Sequence, residues 1–173
     1  MSTNIIHHKI TRRRWLQMAA SYAGIALLSS TLSACGPGEG GGEGKAGSNV
    51  TQLSLGCQEN ELAFDQATLT APAGATLELI FHNHSNHLQH NWVLANGGDE
   101  VAMAIYDAAL VAGVKRDWLP PESAQIIAHT PLINSGKSVT ITFQAPTQTG
   151  DYSYLCTFPG HFLAGMKGTL TLT

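Results

Sequence analysis

Short segments that alternate apolar and polar residues, each closed by a turn, constrain this chain most. Ser138-Val-Thr-Ile-Thr-Phe143 sets Val139, Ile141 and Phe143 against polar neighbours, and Gly168-Thr-Leu-Thr-Leu-Thr173 repeats the pattern. Thr76 to Asn83 places Leu77, Leu79 and Phe81 on one side, and Asp151 to Cys156 again steps by two through Tyr152 and Tyr154. A period of two fits a half-buried strand rather than a helix. Pro72-Ala-Gly74, Asn134-Ser-Gly136 and Gln148-Thr-Gly150 supply reversals between such strands. One stretch breaks the rhythm: Asp99 to Val111 carries alanines and apolar residues at helical spacing, with Asp99 as its N-cap. The expectation is all-β, a sandwich with one short helix inserted between strands.

The N-terminal part obeys different rules. A basic stretch, Thr11-Arg-Arg-Arg-Trp-Leu-Gln17, runs into an apolar segment from Met18 to Leu32. That segment is shorter than the roughly 20 residues a permanent membrane helix needs. Basic, then apolar, then small residues is the layout of an export signal. Thr11-Arg12-Arg13-Arg14-Trp15-Leu16 resembles the twin-arginine export motif, with a general secretion signal as the plainer reading. Leu32-Ser33-Ala34-Cys35 resembles a lipobox, which would leave Cys35 as a lipidated N-terminus; the plainer reading is an unmodified thiol. Seven glycines fall within the 13 residues from Gly36 to Ser48, and no large apolar side chain does. Such a segment cannot pack, and its mean reach is about 20 Å. The expected organisation is an export signal over 1–34, a lipidated cysteine and glycine-rich tether over 35–48, and one folded domain over 49–173.

Charge excludes some functions. Residues 1–34 hold four basic side chains and no acid, so the remaining 139 carry five basic against twelve acidic ones. A body of that sign repels polyphosphate and favours a neutral or basic partner, so no nucleic acid is expected. No Ser/His/Asp order, glycine-rich phosphate loop or paired-carboxylate constellation stands out, and no enzyme is expected.

The chemistry gathers near the C-terminus. Cys156-Thr-Phe-Pro-Gly-His161-Phe-Leu-Ala-Gly-Met166 sets a thiol, an imidazole and a thioether within 11 residues, at a strand end and in the loop after it. Thiolate and thioether are soft ligands and imidazole is borderline, a mixture suited to both Cu(I) and Cu(II). A distant histidine would complete an N₂S set with a long axial sulfur, and His90 in His90-Asn-Trp92 is the candidate. Zinc would prefer more cysteines or histidines and has no use for methionine.

On these residues the chain resembles the azurin and auracyanin branch of the cupredoxins. The likeness runs through His90-Asn91-Trp92-Val93, Ile127-Ala-His-Thr130 with Leu132-Ile133, and Cys156-Thr-Phe-Pro-Gly-His161 with Met166-Lys-Gly-Thr-Leu-Thr-Leu172. The 66-residue separation of His90 from Cys156 also fits. The resemblance implies an eight-stranded Greek-key sandwich holding one copper ion, with His90, Cys156 and His161 as equatorial ligands and Met166 as the axial one. Asn91 would brace the cysteine loop by hydrogen bonds, with Thr157 beside it. The implied activity is one-electron transfer to redox proteins such as c-type cytochromes, an oxidase or another electron-transfer complex. Four residues separate His161 from Met166, as in plastocyanins, and Gln89 stands where azurin has glycine. His161 would present its ring edge within an apolar docking patch of Phe158, Pro159, Gly160, Phe162 and Leu163. The competing reading is a periplasmic copper carrier or storage protein, which the scarcity of methionine disfavours.

The remaining candidates have plainer readings. Cys57 reads as a buried small hydrophobe, with an intermolecular disulfide as the alternative. His82, His84 and His87 read as exposed or structural, against a second metal site or copper-loading path. His129 reads as structural, Trp92 and Trp118 as packing residues, and Met103 as helix core or surface.

Overall fold

The computed structural model describes residues 50–121 and 123–173, so the expected export signal, Cys35 and the expected tether lie outside the described residues. Among the described residues eight strands run β1 Val50–Cys57, β2 Thr68–Ala71, β3 Thr76–Asn83, β4 Val93–Ala95, β5 Ile126–His129, β6 Ser138–Gln144, β7 Gly150–Leu155 and β8 Lys167–Leu172. An α-helix, α1 Asp99–Ala112, and a single 3-10 turn, Val114–Arg116, lie between β4 and β5. The strands form two mixed sheets, one ordered β1-β3-β6 and the other β2-β8-β7-β4-β5. β1 and β3 are parallel, as are β2 and β8, and the other pairs are antiparallel.

Alternation places the core. Along β3, Leu77, Leu79 and Phe81 are fully buried between the sheets, where they meet Leu55, Trp92, Tyr154 and Leu170. Each such side chain contributes about 1.5–3 kcal/mol relative to leaving it in water. The five-stranded sheet is covered on its other face too. Val93, Ala95, Leu155 and Phe162 pack there against Ala102, Ile105 and Tyr106 of α1. That second cover explains why Val93-Leu-Ala95 and the end of β7 are buried on both sides and do not alternate.

The helix starts differently from the sequence expectation. Gly98 is its N-cap, and Asp99 is the first helical residue. The Asp99 carboxylate accepts a hydrogen bond from Ser153 Oγ at 2.7 Å and pairs with Lys167. Those partners take the oxygens that capping would have used. Cys57, at the end of β1, is buried and free, with its Sγ 3.1 Å from Asn83 Oδ1.

Candidate metal centre

Two antiparallel registers assemble the site. β4 meets β7 with Val93 opposite Leu155. Carried two residues past the ladder, that register sets Asn91 opposite Thr157. Asn91 Nδ2 donates to Thr157 Oγ1 at 2.7 Å, and Thr157 N donates to Asn91 Oδ1 at 2.8 Å. β7 meets β8 with Leu155 opposite Lys167, and one step on Cys156 N donates to Met166 O at 3.1 Å. His90 is pinned by Ile133 through a pair of backbone bonds of 3.1 and 2.9 Å.

The loop from Cys156 to Met166 folds back on itself. His161 N donates to Phe158 O at 3.1 Å, and Met166 N donates to His161 O at 3.0 Å. Gly160 turns the chain at φ +85°, a conformation that side-chain-bearing residues disfavour. Its N–H donates to the Tyr106 hydroxyl at 2.7 Å, tying the loop to α1.

Four donor side chains therefore converge. His90 Nδ1 lies 3.1 Å from Met166 Sδ and 3.9 Å from Cys156 Sγ, and Cys156 Sγ lies 3.5 Å from His161 Nδ1. The ligand atoms of His90, Cys156 and His161 all lie within 4.8 Å of one another, and all three residues are buried. Among the described residues this is the one grouping of three or more such ligands. The Nε2 of His90 is also buried and has no hydrogen-bond partner. His90 Nδ1, by contrast, faces two sulfurs, which are weak hydrogen-bond partners but good ligands for a soft metal ion. Two nitrogens, a thiol and a thioether fit copper.

Burial sets the electrostatics. It lowers the pKa of His90 to about 4, with neighbouring His161 adding to the effect, and it lowers that of His161 as well. Both imidazoles are neutral at pH 7, with lone pairs free for a metal. Burial pushes the Cys156 thiol up to about 12, opposed by hydrogen bonds from the backbone N–H groups of Asn91 and Phe158. Those two donors await a thiolate, so metal uptake must displace the proton.

Residues 51–173 match the family of copper-binding proteins described as plastocyanin/azurin. The chain belongs to the plastocyanin/azurin family. Auracyanin-A of Chloroflexus aurantiacus, described as a "blue" copper protein, is 41% identical over 154 residues, which are 86% of this chain and 92% of that protein. Auracyanin-B of the same organism is 44% identical over 134 residues, 73% of this chain but only 57% of its own length. The solved auracyanin of the photosynthetic bacterium Roseiflexus castenholzii matches with a TM-score of 0.69 at 40% identity, covering 71% of this chain and 97% of that one.

In this plastocyanin/azurin-family chain, His90, Asn91, Cys156, Thr157, His161 and Met166 all meet at one place. The expected docking patch meets only in part. Leu163 is 66% exposed, Gly160 is exposed, and Phe158 and Pro159 are half-buried. Phe162 is buried instead, because the turn from Gly160 to Gly165 sends it under α1, with its ring centroid 5.4 Å from that of Tyr106. His161 keeps 4% exposure against none for His90, so it is the ring nearer solvent. Gln89 donates its side-chain amide to Asn134 Oδ1 at 2.7 Å. Trp92 is wholly buried near Phe143 and Tyr154, His129 is exposed on edge strand β5, and Met103 is exposed on α1.

Two neighbours of the site escaped sequence reasoning. Trp118 O accepts the Thr157 hydroxyl at 2.6 Å, and the Trp118 ring meets Phe158 edge-on at 6.2 Å. Asp117 and Trp118 both hold left-handed backbone angles, φ 52° and 56°, to make that approach. Tyr106 could have been found from its place on the buried helical face with Ala102 and Ala109. Nothing local marks Trp118.

Proposed function

We propose that this protein is an electron carrier whose His90, Cys156, His161 and Met166 would hold one copper ion. The observation that carries the reading is the buried convergence of two imidazoles, one thiol and one thioether on strands already paired in register. Copper, when bound, supplies one reversible electron through its Cu(I)/Cu(II) couple. The protein's part is to keep the donors still. Asn91 and Thr157 lock the two ends of the site together, and Tyr106 holds the turn at Gly160. Hydrogen bonds from Asn91 and Phe158 N–H stabilise negative charge on the Cys156 sulfur and tune its donor strength. Complete burial of His90, Cys156 and Met166 excludes water from the donors. A carrier or storage protein that hands over its metal would need donors less enclosed than these.

Exchange with a partner takes place at the His161 edge. Phe158 lies 4.7 Å from the His161 ring, and Leu163 stands out beside it. An apolar surface of this kind suits small, quickly released contacts. The acidic balance of the body favours basic or neutral partners, with c-type cytochromes, an oxidase or another electron-transfer complex as the candidates. The sequence motifs over 1–48 support export and attachment to a membrane through lipidated Cys35. Among the described residues no helix is long and apolar enough to cross a membrane.

Electron exchange between the copper-loaded protein and a c-type cytochrome tests the route. Leu163→Glu should slow it by about tenfold, the equivalent of 1.4 kcal/mol, with the midpoint potential unchanged. Unchanged rates would place the exchange surface elsewhere.

A further inference from the structure

Three further side chains with ligand atoms, His82, His84 and Asp65, stand on the outer face of the three-stranded sheet, less tightly gathered than the buried three. β1 and β3 run parallel there with Gly56 opposite His82. Glycine leaves a notch, and two side chains lean into it. A Cβ built on Gly56 would meet Asp65 Oδ2 and His84 Cδ2 at 2.7 Å each, and His84 Nε2 at 3.0 Å. The His82 and His84 rings stack at 5.6 Å with an interplanar angle of 16°.

Each member is positioned by the backbone or by a neighbour. The Asp65 carboxylate is anchored through Oδ1, which accepts Gly56 N at 2.9 Å, while Asp65 N donates to Gly56 O at 2.9 Å. That leaves Oδ2 over the notch. His82 Nδ1 lies 2.7 Å from Ser138 Oγ, so its Nε2 remains to face a ligand. A hydroxyl holding one ring nitrogen while the other stays open is how proteins orient histidines toward metals. His84 is exposed and sits just past the end of β3, so its ring is free to turn.

We propose that His82, His84 and Asp65 form a surface site for a borderline divalent cation such as Zn²⁺, separate from the buried centre. Two imidazoles and one carboxylate select such cations over Mg²⁺ or Ca²⁺, which prefer oxygen. The site closes by rotation of His84 from its stacked position, bringing its Nε2 toward His82 Nε2 and Asp65 Oδ2. It shares no residue with the proposed copper ligands, so it goes beyond that reading.

Calorimetric titration of the copper-loaded full chain with Zn²⁺ tests the site, because copper occupies the buried donors first. The wild type should bind one equivalent more than His84→Ala, with a Kd below about 1 mM. Asp65→Asn should weaken that equivalent at least tenfold, His87→Ala should leave it unchanged, and Mg²⁺ should not compete. Visible absorption and melting temperature, equal in all variants, report that the fold is kept. Equal Zn²⁺ uptake by wild type and His84→Ala would overturn the proposal, as would loss of the same equivalent in His87→Ala.

Discussion

Replacing Asn91 by leucine removes the brace while keeping the side chain's approximate shape. Asn91 and Thr157 are both fully buried, and they exchange hydrogen bonds of 2.7 and 2.8 Å. The substitution strands the Thr157 N–H away from water, which costs about 1–3 kcal/mol. Losing the bond to Thr157 Oγ1 adds roughly 1 kcal/mol, because that hydroxyl still reaches Trp118 O. The expected loss is thus about 2–4 kcal/mol. At roughly 3–5 °C per kcal/mol for a domain of this size, the melting temperature should fall by about 10 °C. The assay is thermal unfolding of the metal-free protein followed by circular dichroism, which removes any contribution from copper. Thr157→Ser is the internal comparison. It keeps both bonds to Asn91 and the bond to Trp118 O, and should lose only about 1 kcal/mol for the buried methyl group. If Asn91→Leu shifts the transition by less than about 2 °C, or no more than Thr157→Ser does, the brace is not what holds the two strand ends together.

Two further outcomes follow from the same geometry. Tyr106→Phe removes the acceptor of the Gly160 N–H, and should cost about 1–2 kcal/mol and speed amide exchange at Gly160 and His161; unchanged exchange there would contradict the tie to α1. Acid should destabilise the metal-free protein, since His90 takes up a proton near 6.5 when unfolded but only near 4 when folded. Stability is full above the unfolded value and is lost as pH falls toward 4, by about 3 kcal/mol for this group. Urea unfolding across that range reads the loss, and His90→Gln should flatten it.

What was legible in the sequence follows from what faces water. β3, β6 and β8 alternate because one side of each is solvated or at a sheet margin, so their strands could be read directly, whereas β7 was legible from its residue types although its end is buried on both faces. β4 could be seen only as a short apolar run, because α1 closes its second face. Cys156, His161 and Met166 were legible as a set because one strand end and its loop carry all three. His90 was legible as a candidate distant histidine ahead of a short apolar run, but what brings it to the other three, the β4–β7 register and the backbone pair with Ile133, was not. The surface around the site was harder. Phe162 and Leu163 are equally apolar neighbours, and which of them points outward depends on the turn at Gly160 and the presence of Tyr106 beneath it. The helix cap moved for a similar reason: Ser153, 54 residues away, competes for the Asp99 carboxylate. Contacts made across long separations leave no periodic trace.

Titration of the metal-free protein with Cu(II), followed by visible absorption, tests the central claim most directly. One equivalent should bind and produce an intense blue cysteine-to-copper band, and Cys156→Ser should abolish the colour. Failure to take up stoichiometric copper, or the same band in Cys156→Ser, would contradict a centre built from His90, Cys156, His161 and Met166.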